Sequence, residues 1–203
     1  MRIALIGASG DAGSRILAEL SARGHTVTAI ARNPEKIASL PGVTARAGDL
    51  FDVPALAALL GGHDAVVSSV HFLASDPEKL ISAVKQAGVA RYLVVGGAGS
   101  LEVAPGVRLF DTPGFPAPYL NEARAGGAFL DRLKQETALD WTFFSPAAWF
   151  VPGARTGTFR LGTDQLLVNE AGDSRISFED YAIALVDEIE QPKHSRRRFT
   201  IGY

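Results

Sequence analysis

Three glycines, in the run Gly7-Ala8-Ser9-Gly10-Asp11-Ala12-Gly13, are the first residues whose type and spacing could do chemistry. Gly7 can take a sharp turn, Gly10 lets backbone approach a phosphate, and Gly13 lets a helix pack tightly on a strand. Free N–H groups at the start of that helix would bind an anion without any charged side chain. Ser9 adds a hydroxyl, and Asp11 and Ala12 complete the loop. A carboxylate at position 11 suits the helix dipole but would repel a nearby pyrophosphate. Asp11 is therefore expected to face solvent, toward Arg15 four residues on.

The second cluster is basic. A protein that binds NAD places a carboxylate near the end of the second strand for the ribose hydroxyls. Here Ala29, Ile30 and Ala31 offer none, and Arg32 and Asn33 follow, with Lys36 one helical turn on. Two cations at that place suit a 2′-phosphate, which points to NADP, NADPH being preferred over NADH. Asp49 could accept from the adenine amino group and Leu50 could pack on the ring; turn chemistry in Gly48-Asp49 is the equal alternative. Residues just past strand ends face the ligand crevice of an open α/β sheet. That rule adds Ser68, Ser69, Val70, Gly96, Gly97, Ser145 and Pro146 as cofactor contacts. His71, Ser100 and Tyr119 are the candidates for a proton donor. His25, His63 and His194 lie elsewhere, and no pair has metal-ligand spacing. Phe72, Phe110, Phe115, Trp149 and Phe150 come from segments expected to border the crevice, where flat rings would stack.

These residues need elements to hold them. Ile3–Ile6 reads as a strand buried on both faces, Ile16, Leu17 and Leu20 give the next helix an apolar face, and Thr26–Ile30 is a second strand, a βαβ unit in order. Strand-like and helix-like segments then alternate. A short helix is expected over 34–40, strands over 43–47, 64–70, 92–95, 141–144 and 199–201, and helices over 53–60, 76–87, 121–135 and 177–190. Gly126-Gly127 weakens the fourth long helix, 157–168 suggests a peripheral hairpin, and Ser177-Phe178-Glu179-Asp180 resembles a capping box. From Leu101 to Tyr119 the pattern dissolves among Pro105, Pro113, Pro116 and Pro118, marking a candidate lid. The fold expected is a single-domain, Rossmann-like, doubly wound parallel sheet over 1–203, with substrate-side elements about 101–120 and 146–180.

Composition narrows the classes. The chain has 203 residues and a formal charge of −2, which argues against nucleic acid or an anionic membrane surface as partner. No apolar run approaches the ~20 residues that span a bilayer. There are no cysteines, so disulfides, thiol catalysis and thiolate metal sites are excluded. A cytoplasmic setting is the expectation; monomer and homodimer both stay open.

The residues resemble the atypical short-chain dehydrogenase/reductase group with NAD(P)H-binding domains, members of which are described as NADH-flavin reductases. The matching stretches are Ile6 to Gly13, Ala31 to Lys36, Gly48-Asp49-Leu50, Gly96 to Leu101, Trp141 to Pro146, Arg155-Thr156-Gly157, Ile176 to Ala182 and Arg198-Phe199-Thr200. A more distant likeness is to biliverdin reductase B, a flavin reductase using NADPH. That likeness implies Arg32 and Lys36 at the 2′-phosphate and Ser145-Pro146 backbone near the nicotinamide amide. Many relatives use a Tyr-x-x-x-Lys pair as acid and base. Here Tyr119 is followed by Ala123 and Tyr92 by Gly96. The missing pair weakens alcohol dehydrogenation, epimerisation and dehydration, each of which needs a positioned proton carrier. Hydride transfer to a flavin or quinone fits better, with flavin as substrate. A non-catalytic NADP(H) sensor and a carbonyl reductase using His71, Ser100 or Tyr119 are the rivals.

Overall fold

Aliphatic runs such as Ile3-Ala4-Leu5-Ile6 have no polar face, so each must be covered on both sides. The computed structural model, which describes residues 1–203, shows how this is done. The strands are β1 (Arg2–Ile6), β2 (Thr26–Ala31), β3 (Val43–Ala47), β4 (Ala65–Ser68), β5 (Arg91–Val95), β6 (Glu102–Ala104), β7 (Val107–Arg108), β8 (Asp140–Ser145), β9 (Trp149–Val151), β10 (Arg160–Gly162), β11 (Arg175–Ser177) and β12 (Arg197–Gly202). The helices are α1 (Asp11–Ala22), α2 (Val53–Leu60), α3 (Pro77–Gln86), α4 (Leu120–Leu133) and α5 (Phe178–Glu190). Eight strands form one sheet in the order β10-β12-β8-β5-β4-β1-β2-β3. All its pairings are parallel except the edge pair β10–β12. The chain runs outward from β1 to β3, then returns to lay β4 on the other side of β1. That reversal opens a crevice at the strands' carboxyl ends, where such sheets take their ligands.

Alternation along β1 sends Ile3 and Leu5 into one apolar layer with α1 and α5, and Ala4 and Ile6 into another with α2, α3 and α4. Three of the helices begin on side-chain caps: Asp52 before α2, Asp76 before α3 and Ser177 before α5. The start of α1 has none; Gly10 stands there with extended backbone. In the first layer Phe144 stacks on Tyr181 and Phe199, with ring centroids 4.1 and 3.9 Å apart. The Tyr181 hydroxyl donates to Phe144 O at 2.7 Å, and burial pushes that phenol's pKa well up.

Several expectations are corrected. Residues 34–40 hold only a 3-10 turn at Pro34–Lys36, because Ile37 leaves it in an extended conformation to enter the core. The hairpin over 157–168 is absent; Arg160–Gly162 pairs with β12 instead. The capping box is half formed. Ser177 Oγ accepts from Asp180 N, but the Asp180 carboxylate turns away to Thr156, Gly157 and Tyr203. The segment 101–119 contains the small β6–β7 hairpin and is pinned down. Glu102 N donates to Asp164 O, Phe110 N to Gly99 O, and Leu101 is fully buried.

Candidate functional site

The crevice is a cleft of about 1050 Å³ over the carboxyl ends of β1, β2, β3, β4 and β5. That is the upper end of ligand-pocket sizes, ~300–1,000 Å³, and suits something larger than one small molecule. Its floor is the glycine turn. Gly7 has φ +83°, and a Cβ there would lie 2.0 Å from Ser69 O. At Gly13 a Cβ would lie 2.1 Å from Gly7 O, so the helix can sit this close to the strand only without one. At Gly10 the only neighbour of a Cβ is Gly7 O, at 3.4 Å, and the space beyond belongs to the cleft. The uncapped first turn of α1 aims its free N–H groups into that space. Ser9, Asp11 and Ala12 also line it. The donor set and the vacant volume at Gly10 fit a diphosphate.

On the β2–β3 side stand Arg32, Asp49, Leu50, Phe51 and Asp52. Arg32 is exposed and makes no ion pair, whereas the two carboxylates are already used: Asp49 accepts from Phe51 N at 2.9 Å and Asp52 from Ala55 N at 3.1 Å. Phe51 is half exposed, with Lys79 Nζ 4.9 Å from its ring centre. Asn33 and Lys36 are exposed but lie outside the lining.

The β4–β5 side is built from Ser69, Val70, His71, Phe72, Gly96, Glu122, Phe150 and Phe178. Glu122, in the first turn of α4, crosses to the end of β4 and accepts from Phe72 N at 2.6 Å and Leu73 N at 3.0 Å. It also lies 3.5 Å from His71 Nδ1, and the imidazole is 88% exposed. Phe72 is wedged between Phe129 and Phe143. Phe150 and Phe178 meet edge to face at 4.5 Å, and the Arg15 guanidinium covers Phe178 at 5.6 Å.

The structure thus gathers Gly7, Ser9, Gly10, Asp11, Ala12, Arg32, Asp49, Leu50, Ser69, Val70, Gly96 and His71 around one cleft. It places the other candidates elsewhere. Ser68 is buried in the sheet against the Tyr92 hydroxyl at 2.9 Å. Ser100, 5% exposed with its hydroxyl accepting from Arg198 at 3.0 Å, is buried outside the cleft lining, away from any acceptor there, and is removed as a candidate. Tyr119 is 67% exposed and does not line the cleft, so it too is removed. Gly97 and the buried Gly13, Ser145 and Pro146 stand behind the wall. Of the five aromatic candidates, Phe72 and Phe150 line the cleft; Phe110 packs against Gly99 and Gly127, and Phe115 and Trp149 lie outside. Asp11 does face solvent, 83% exposed, but Arg15 prefers Glu179, at 3.2 Å against 4.0 Å for Asp11. Glu122, Phe51 and Phe178 were missed. Glu122 reads in sequence as an ordinary acid at a helix start, and its partners lie about fifty residues away.

Comparison with known proteins agrees with the fold. The NAD(P)H-binding family profile matches residues 7–192. Among the solved structures that cover the whole chain are the following three. One from Burkholderia pseudomallei, described as a putative exported protein, is 48% identical with TM-score 0.92 over all of that chain. One from Bacteroides thetaiotaomicron, described as a putative epimerase, is 45% identical with TM-score 0.95 over 96% of that chain. One from Streptococcus pneumoniae TIGR4, described as a putative NADH-flavin reductase, is 38% identical with TM-score 0.86 over 99% of that chain. The three descriptions differ, and no helix is long and apolar enough to cross a membrane.

Proposed function

The chain belongs to the NAD(P)H-binding family, and from that premise we propose that it is an NADPH-dependent reductase passing hydride to a flat acceptor of flavin or quinone type. One observation carries this reading: the acceptor side of the cleft is walled by aromatic rings and presents neither a tyrosine hydroxyl nor a lysine. The four tyrosines are accounted for elsewhere. Tyr92 donates to or accepts from Ser68, Tyr181 donates to Phe144 O, Tyr203 donates to Asp180, and Tyr119 is in solvent. Epimerisation and alcohol oxidation need a positioned proton carrier of that kind. A flat acceptor does not, since solvent can supply its proton.

Bound reduced nicotinamide would supply a hydride from C4. The protein's own residues bind and orient. The α1 amides and Ser9 hold the diphosphate, and unpaired Arg32 takes the 2′-phosphate, which favours NADPH. Phe72, Phe150 and Phe178 flank the acceptor and exclude water. The need for reduced nicotinamide supports a cytoplasmic setting. One specific observation favours a second reading, reduction of a carbonyl: the exposed His71, with Glu122 beside Nδ1, could give a proton to an alkoxide.

Steady-state oxidation of NADPH with riboflavin, FMN, FAD and a quinone tests the proposal. Turnover well above the buffer rate is expected. Tight NADP binding with no turnover of any acceptor would overturn it in favour of a non-catalytic sensor.

A further inference from the structure

Resting on that reading of the cleft, we propose that the acceptor is an uncharged flat ring system, an unphosphorylated isoalloxazine or a quinone, and that phosphorylated flavins are disfavoured. The sheet order divides the cleft. Arg32, Asp49 and Asp52 belong to the β2–β3 half, His71 and Glu122 belong to the half over β4, and Asp11 stands between them on the first turn of α1, after β1. Arg32 is the sole arginine or lysine in the lining, and it is at the far end, committed to the coenzyme.

A flavin phosphate entering the acceptor half would therefore meet carboxylates and find no unpaired cation. Asp11 projects into solvent at the mouth, 83% exposed, and the Glu122 charge is held in place by two backbone N–H groups. The imidazole of His71 already faces Glu122. The Arg15 guanidinium, which lies over Phe178, already donates to Glu179 at 3.2 Å. Arg124, two residues beyond Glu122, projects from roughly the opposite side of α4, at ~100° per residue. A phosphate monoester carries about −1.5 to −2 charges at neutral pH, so it is repelled where the bare ring is not.

The chemistry needs no charge on the acceptor. The acceptor gains a hydride and one solvent proton: a bond from hydrogen forms at N5 of the isoalloxazine or at a quinone oxygen as the C4–H bond of reduced nicotinamide breaks. The electron pair moves to the acceptor, which is reduced, and oxidised nicotinamide is left.

Riboflavin and FMN share one ring and differ by the phosphate, so their comparison isolates the charge. Affinity would be read by flavin fluorescence quenching on protein saturated with NADP⁺, and kcat/KM by NADPH oxidation, each with riboflavin, FMN, FAD and menadione. In low salt, riboflavin is expected to bind at least about tenfold more tightly than FMN, with the gap shrinking at about 0.5 M salt, where screening acts within a few ångströms. Asp11→Asn and Glu122→Gln should each narrow the FMN-to-riboflavin ratio. Turnover of menadione without riboflavin binding would also support an uncharged acceptor and assign it as a quinone. FMN binding as well as riboflavin in low salt, with turnover, would overturn this proposal and leave the reductase reading standing. Neither flavin nor quinone binding or turning over would overturn both.

Discussion

A guanidinium with no carboxylate partner, placed at the end of β2 on the cleft wall, is free to meet a phosphate monoester. Charge-assisted hydrogen bonds of this kind contribute about 1.5–3 kcal/mol. Arg32→Ala should therefore weaken NADPH binding by about ten- to a hundredfold and leave NADH nearly unchanged, as read by calorimetric titration of both coenzymes. Equal losses for both would show that the residue serves the fold rather than the 2′-phosphate. Magnitude also decides the role of His71. Removing a general acid costs about 10²–10⁴-fold in rate. A flat acceptor takes its proton from water, so His71→Ala should lower kcat with a quinone by no more than about threefold, an effect too small for that role. A loss near a thousandfold with a carbonyl substrate would favour the alternative reading. The Glu122 contact does not contradict the expectation, because that carboxylate already has a structural task at Phe72 and Leu73.

At the scale of elements, α4 shows how a helix can be locally weak for a reason that its own sequence hides. Gly126-Gly127 interrupts an otherwise good helix, and alanine at either place would add helix propensity, about 1 kcal/mol. Yet a Cβ at Gly126 would come within 2.8–2.9 Å of the Phe72 ring, and that ring is wedged between Phe129 and Phe143. Overpacking of this sort costs about 1–3 kcal/mol. Gly126→Ala should therefore lower stability by up to ~2 kcal/mol in a denaturant melt, and raise KM for the acceptor more than Kd for NADPH. A gain in stability would mean that Phe72 moves aside freely. The same contrast separates what the sequence tells from what it conceals. Strand β3 and helix α2 were legible to the residue, over 43–47 and 53–60, because apolar period and Pro-Gly punctuation are local signals. The turn at 34–36 and the strand at 160–162 were not, since Ile37 leaves for the core and β10 finds its partner some forty residues later. In the cleft, glycine spacing located the turn that forms the floor, while Glu122 and Phe178 reach the cleft only through tertiary packing.

Over the whole molecule, carboxylates tie the C-terminal segment back to the first helix. Glu19 accepts from Arg155 at 2.9 and 3.0 Å and from Arg23 at 2.8 Å; Glu179 joins Arg15 to Gly153 N. Buried Asp180 accepts from Thr156 N and Oγ1, Gly157 N and the Tyr203 hydroxyl, all within 2.6–2.8 Å. These partners lie far along the chain from Asp180 or α1, and this is why the stretch Arg155-Thr156-Gly157 could be noticed in sequence without its purpose being visible. Burial opposes the charged form of Asp180, but the hydrogen bonds from Thr156, Gly157 and Tyr203 outweigh it and hold the carboxyl below its usual range. Glu19 is held down in the same way, burial being outweighed by Arg155 and Arg23, and Glu179 by Gly153 and Arg15. A carboxylate depressed in the folded state stabilises fully above its unfolded value, about 3.9–4.3, and that stability drains away as pH falls through the lower folded value. Asp180→Ala takes the carboxylate acceptor from two amides, the Thr156 hydroxyl and the Tyr203 phenol and should cost about 3 kcal/mol at pH 7. Urea melts of both proteins should show that difference constant from pH 7 down to about 5 and shrinking below about 4. A difference that stays constant through the acid limb would mean that the Asp180 proton equilibrium is the same folded and unfolded, and that the segment is held by packing instead.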